Sequence, residues 1–70
     1  MTKRVDVHYD GMLYTLPGDQ LEAVKERVLG AVTGGEPFWL TVNMGEGRYQ
    51  PADLLVTPGV AISLVPIPDE

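Results

Sequence analysis

The chain predicts an α+β domain in which one helix packs on a mixed sheet of four or five strands. Three observations predict it: an alternating run from Val5 to Leu16 that turns at Asp10-Gly11, one amphipathic stretch from Asp19 to Thr33, and only strand-like runs afterwards. A single amphipathic helix can cover one face of a small sheet and little else, so this order admits few architectures.

In the first run Val5, Val7 and Tyr9 alternate with Arg4, Asp6 and His8, the period of a half-buried strand. Asp10-Gly11 is a favoured two-residue turn pair, after which Met12, Tyr14 and Leu16 resume the apolar phase. Two-residue pairing sets Tyr9 opposite Met12, Val7 opposite Tyr14 and Val5 opposite Leu16, so these side chains share one face. Pro17-Gly18 ends the hairpin. Asp19 is placed to cap the helix, with Glu22 positioned to complete a capping box. At about 100° per residue, Leu21, Val24, Val28, Leu29, Ala31 and Val32 form one stripe, while Glu22, Glu26, Arg27 and Gly30 point away. Gly34-Gly35 supplies a left-handed stop and Pro37 blocks continuation.

Phe38, Leu40, Val42 and Met44 then alternate with Trp39, Thr41 and Asn43 as a third strand, and Gly45-Glu46-Gly47 turns the chain. Pro51-Ala52-Asp53 predicts a helical turn or loop, because proline cannot donate to a ladder. A tight turn over Thr57-Pro58-Gly59-Val60 leads to the last strand, with Val60, Ile62 and Leu64 on one face. Alternate prolines predict an extended, mobile tail over residues 66–70, leaving one domain over residues 1–65.

Seventy residues support a single small core, and the absence of cysteine excludes both a disulfide framework and a thiolate metal site. The longest uncharged stretch, Leu54 to Pro68, is broken by prolines and is too short to span a bilayer. No apolar segment follows Lys3 and Arg4, so a cytoplasmic protein without a secretory signal is expected. A formal net charge of -5, with the basic residues scattered over Lys3, Arg4, Lys25, Arg27 and Arg48, argues against nucleic acid as a partner.

Hairpin, helix, strand, irregular turn and final strand is the order of the β-grasp fold, and two segments resemble ubiquitin-like proteins. Asp19-Gln20-Leu21-Glu22-Ala23-Val24-Lys25-Glu26-Arg27-Val28 is similar to the opening of the ubiquitin helix. Gly47-Arg48, followed by Asp53 through Val65, resembles the family's Asp-bearing turn and last strand, with Ile62, Leu64 and Val65 at its aliphatic positions. The resemblance implies a divergent, bacterial ubiquitin-like domain, pairing of the third and last strands, and partner contacts on the outer sheet face. Such modifiers end in Gly-Gly, the slim end that activating and conjugating enzymes take up, whereas this chain ends Pro66-Ile67-Pro68-Asp69-Glu70. Glu70 is the expected joined end if the protein is a modifier. The Phe38-Trp39-Leu40 and Leu54-Leu55-Val56-Thr57-Pro58-Gly59 stretches are also similar to short actinobacterial proteins, a likeness that implies no activity.

Few residues point to chemistry. Asp6, His8 and Asp10 project from one face of an extended strand, as metal ligands do, but no second His and no Cys exists to complete a strong site. Ser63 is the only serine and lacks a nucleophile elbow, and Gly45-Glu46-Gly47 lacks the lysine and third glycine of a phosphate loop. A non-enzymatic protein without cofactor or bound metal is expected, metal binding through Asp6 and His8 being the alternative. Trp39 stands out: if Phe38, Leu40, Val42 and Met44 face the helix, alternation sends the only tryptophan to the outer face. Exposed aromatic residues make good interface anchors. A protein-binding patch of Trp39, Thr41, Val65 and His8 is therefore expected, or a homo-oligomer that buries Trp39 against its own copy.

Overall fold

The structure is a computed structural model that describes residues 2–45 and 48–68. Its elements are β1 (Thr2–Tyr9), β2 (Met12–Pro17), a 3-10 turn (Gly18–Gln20), α1 (Leu21–Gly34), β3 (Phe38–Asn43), β4 (Pro51–Val56) and β5 (Ile62–Pro68). The class is α+β, with one α-helix and one five-stranded sheet among the described residues. The turn predicted at Gly45-Glu46-Gly47 and the chain end Asp69-Glu70 fall partly or wholly outside these residues.

The first hairpin forms in the predicted register, with Val5↔Leu16, Val7↔Tyr14 and Tyr9↔Met12. Asp10 (φ 50°) and Gly11 (φ 84°) both adopt the left-handed conformation that a two-residue hairpin turn requires. The helix starts later than predicted. Asp19 falls within the 3-10 turn, Gln20 occupies the N-cap, and no side-chain cap bond or capping box forms. Asp19 and Glu22 still place acid at the helix start, where the dipole favours it. At the other end Gly35 (φ 69°) closes the helix, its N–H donating to the Ala31 carbonyl. The buried stripe is narrower than predicted: Val24 and Ala31 are buried, with Leu21 and Val28 packed beside them, while Leu29 and Val32 face outward.

The sheet departs from expectation in two respects. Its order is β4-β3-β2-β1-β5 with every pairing antiparallel, so it is not mixed, and the third and last strands do not pair. Both edges of β3 are taken, one by β4 through six residue pairs and the other by β2 at Thr15↔Asn43. The free side of β1 is what remains for β5. There Leu64 and Ile62 lie opposite Val7 and Tyr9 and extend the apolar face.

Proline placement explains two further corrections. Pro51-Ala52-Asp53 is the start of β4, not a helical turn: β4 is an edge strand and proline is tolerated at its first residue. Residues 66–68 of the predicted tail belong to β5, pairing from Val5↔Pro66 to Thr2↔Pro68. In a two-residue hairpin the closing pair Tyr9↔Met12 is hydrogen-bonded, and by alternation so is Val5↔Leu16. Val5 thus turns its backbone groups toward β2, and Pro66 opposite it needs no donor.

This strand order cannot lie flat. Val56 pairs with Phe38 at one end of β3, whereas Ile62 pairs with Tyr9 at the far end of β1. On a flat sheet those ends would be about 33 Å apart, from four strand spacings and eight residue rises, but the six links between them reach at most about 21 Å. The sheet therefore folds over, bending at Thr15↔Asn43 so that β3–β4 crosses the β5-β1-β2 layer. A contact between the layers confirms it: the Tyr9 hydroxyl of β1 donates to the Leu55 carbonyl of β4. Asp10 N–H, which donates to the Ala61 carbonyl at 3.2 Å, carries the β1–β5 pairing one step further. Val60 N–H closes the predicted tight turn on the Thr57 carbonyl at 3.2 Å.

The fold-over brings Val5, Val7 and Leu16 against Leu40, Val42, Leu54 and Val56, and Val24 and Ala31 of α1 join this cluster. Val5, Val7 and Val56 are fully enclosed.

Candidate functional site

Strand alternation places Trp39, Thr41 and Asn43 on the face of β3 opposite Leu40 and Val42, as predicted, and Trp39 is 62% exposed. Its neighbour across the sheet is Leu55 of β4, itself 41% exposed. Met44 N–H donates to the Gln50 carbonyl at 2.9 Å, which marks the hydrogen-bonded phase of this hairpin. By alternation Trp39↔Leu55 is a non-hydrogen-bonded pair, the kind in which side chains approach most closely. Thr41, two residues on, donates through Oγ1 to Asp53 Oδ1 at 2.7 Å. The corner thus carries an apolar pair beside a polar one.

Arg27 of α1 holds this corner from the helix side. Its guanidinium lies 4.3 Å from the Phe38 ring centroid, and its Nη2 donates to the Trp39 carbonyl at 3.4 Å. At the other end of β3, Asn43 organises the loop: its Nδ2 donates to the Arg48 carbonyl at 3.0 Å and its Oδ1 accepts from Gln50 N–H at 2.6 Å.

Val65 and His8 do not join the patch. Val65 pairs with Asp6 and His8 with Ser63, and β2 and β1 separate them from β3. The expected clustering depended on pairing of the third and last strands, which β2 prevents. His8 instead lies opposite Leu13, which is 51% exposed, near the hairpin turn. Asp6 is engaged by Arg4, whose Nε donates to Oδ1 at 3.0 Å. Among the described residues no three His, Cys, Asp or Glu side chains gather as a metal site.

Comparison with family models, with curated proteins and with solved structures returns no match.

Leu55 is the site residue that the sequence reading missed. Leu54-Leu55-Val56 is an apolar run of strand character, and reading Pro51 as the first residue of an edge strand would have placed Leu55 on the Trp39 face. No helix among the described residues is long and apolar enough to cross a membrane.

Proposed function

We propose that this chain is a small ubiquitin-like protein that works through protein–protein contacts on its outer sheet face, with Trp39 and Leu55 as the anchor and Thr41 and Asp53 as its polar border. It acts as a binding partner in the cytoplasm, not as an enzyme. One observation carries the reading: a tryptophan 62% exposed beside a leucine 41% exposed, paired across strands on the face turned away from the core. Aromatic anchors with adjoining aliphatic surface are the usual centres of protein interfaces. The hairpin–helix–strands order supports the ubiquitin-like description, while β3 pairs with β2 and not with β5, a departure from the strand order that the resemblance implies. The narrower reading as a modifier rests on Glu70, which lies outside the described residues.

A photoreactive phenylalanine analogue introduced in cells tests the contact. At position 55 it is expected to yield adducts with other polypeptides, whereas at Glu26, on the exposed side of α1, it should not. Adducts only at multiples of 7.6 kDa would mean self-association through this corner, the homo-oligomeric alternative. Equal labelling at positions 55 and 26 would refute the contact.

A further inference from the structure

The ladder between β2 and β3 consists of one pair, Thr15↔Asn43, although both strands continue past it. In the same register Pro17 would meet Thr41, and Pro17 has no N–H to donate. Beyond the bend the strands diverge and leave a groove. Two hollows of about 530 and 290 Å³ share Leu16, Pro17 and Thr41, so the groove continues from the Asn43 loop to the first turns of α1. By the β3 alternation, Trp39 and Thr41 point their backbone groups toward this groove. The Trp39 carbonyl accepts from Arg27 Nη2 on the helix side.

The charge of the lining differs from that of the molecule. The chain has ten acidic and five basic residues, yet among the described residues Arg4 and Arg27 are the only charged side chains lining the two hollows. Asp6 anchors Arg4 at Nε, and Asp53 bonds Thr41 from the β4 side, so Arg27 is the cation that a ligand would meet in the helix-side part of the groove.

We infer that the groove takes an extended acidic peptide, which adds backbone hydrogen bonds along Trp39–Thr41 and sets a carboxylate toward Arg27. Strand addition of this kind draws affinity from the main chain and selectivity from the flanking side chains. The inference rests on the protein-binding reading above and names the chemistry of a partner segment.

The test uses pools of blocked octapeptides with Asp/Glu, Ser/Thr or Lys/Arg at the outer positions, read by Trp39 fluorescence and by hydrogen exchange at the Thr41 amide. Acidic pools are expected to bind tightest and to protect Thr41, and N-methylation of alternate peptide nitrogens should abolish binding. Arg27→Gln keeps a donor for the Trp39 carbonyl and removes the charge; it should weaken acidic binding about threefold to fivefold, and Arg27→Lys should restore it. Basic or neutral pools binding as well as acidic ones, or no pool binding at about 1 mM, would overturn the inference. Ser63→Ala, on the exposed side of β5 and outside the groove lining, should leave peptide affinity unchanged. Affinity lost in Leu55→Ser but kept in Arg27→Gln would overturn the groove and leave the outer-face contact standing.

Discussion

Gly18 and Gly30 show how differently two glycines can be used. A Cβ on Gly18 would lie 2.0 Å from the Thr2 carbonyl oxygen and 2.6 Å from its carbon, so the start of β1 crosses the hairpin exit at backbone contact. Gly18→Ala should therefore cost about 1–3 kcal/mol, the usual scale for forced overpacking. Gly30 sits mid-helix with nothing within 4 Å of its would-be Cβ, and Gly30→Ala should stabilise by about 0.5–1 kcal/mol. Urea denaturation of both variants checks the pair: opposite shifts of the midpoint are expected, and shifts of the same sign would contradict the packing at Gly18. Residue types alone showed that Gly18 follows a proline at a hairpin end. They did not reveal its contact with Thr2, because that contact joins segments distant in the chain. Trp39 was legible for the opposite reason, since alternation within β3 sends it outward whatever β3 pairs with.

At the scale of elements, Pro17 governs the seam between β2 and β3. It ends β2, supplies no donor to Thr41, and stands where the two layers part. Pro17 has φ -59° and ψ 144°, a backbone conformation that valine also adopts. In Pro17→Val a donor returns and the ladder is expected to extend by one pair, so the Thr41 amide should exchange more slowly and the groove should narrow. Unchanged exchange at Thr41 would mean that the bend at Thr15↔Asn43, and not the missing N–H, keeps the strands apart. The hairpin and the helix stop were readable because local turn chemistry specifies them. The helix start was not. Asp19 has a capping side chain, but the contact of Gly18 with Thr2 accompanies a 3-10 entry that shifts the cap to Gln20. Leu29 and Val32 were misplaced because periodicity finds the apolar side of a helix but not how much of it the sheet covers.

The molecule as a whole is one sheet bent into two layers, joined along the chain by α1 and by the connection over residues 57–61, and in the ladder by Thr15↔Asn43 alone. Local opening free energies follow such divisions when few bonds cross them. Hydrogen exchange should show the hydrogen-bonded amides of β4, such as Leu54, opening at lower free energy than Val7 in β1. Equal values would show that the shared core of Val7, Leu54 and Val56 makes both layers one cooperative unit. By itself the sequence determined the α+β class, the first hairpin with its register, the helix with its glycine stop, and the outward tryptophan, because periodicity and turn chemistry act within a few residues. Only the tertiary structure decided the strand order, the antiparallel docking of β5 on β1, the Trp39–Leu55 pair and the groove at Pro17. Those depend on which strand edges remain free and how far a five-residue connection can reach, and neither quantity is local.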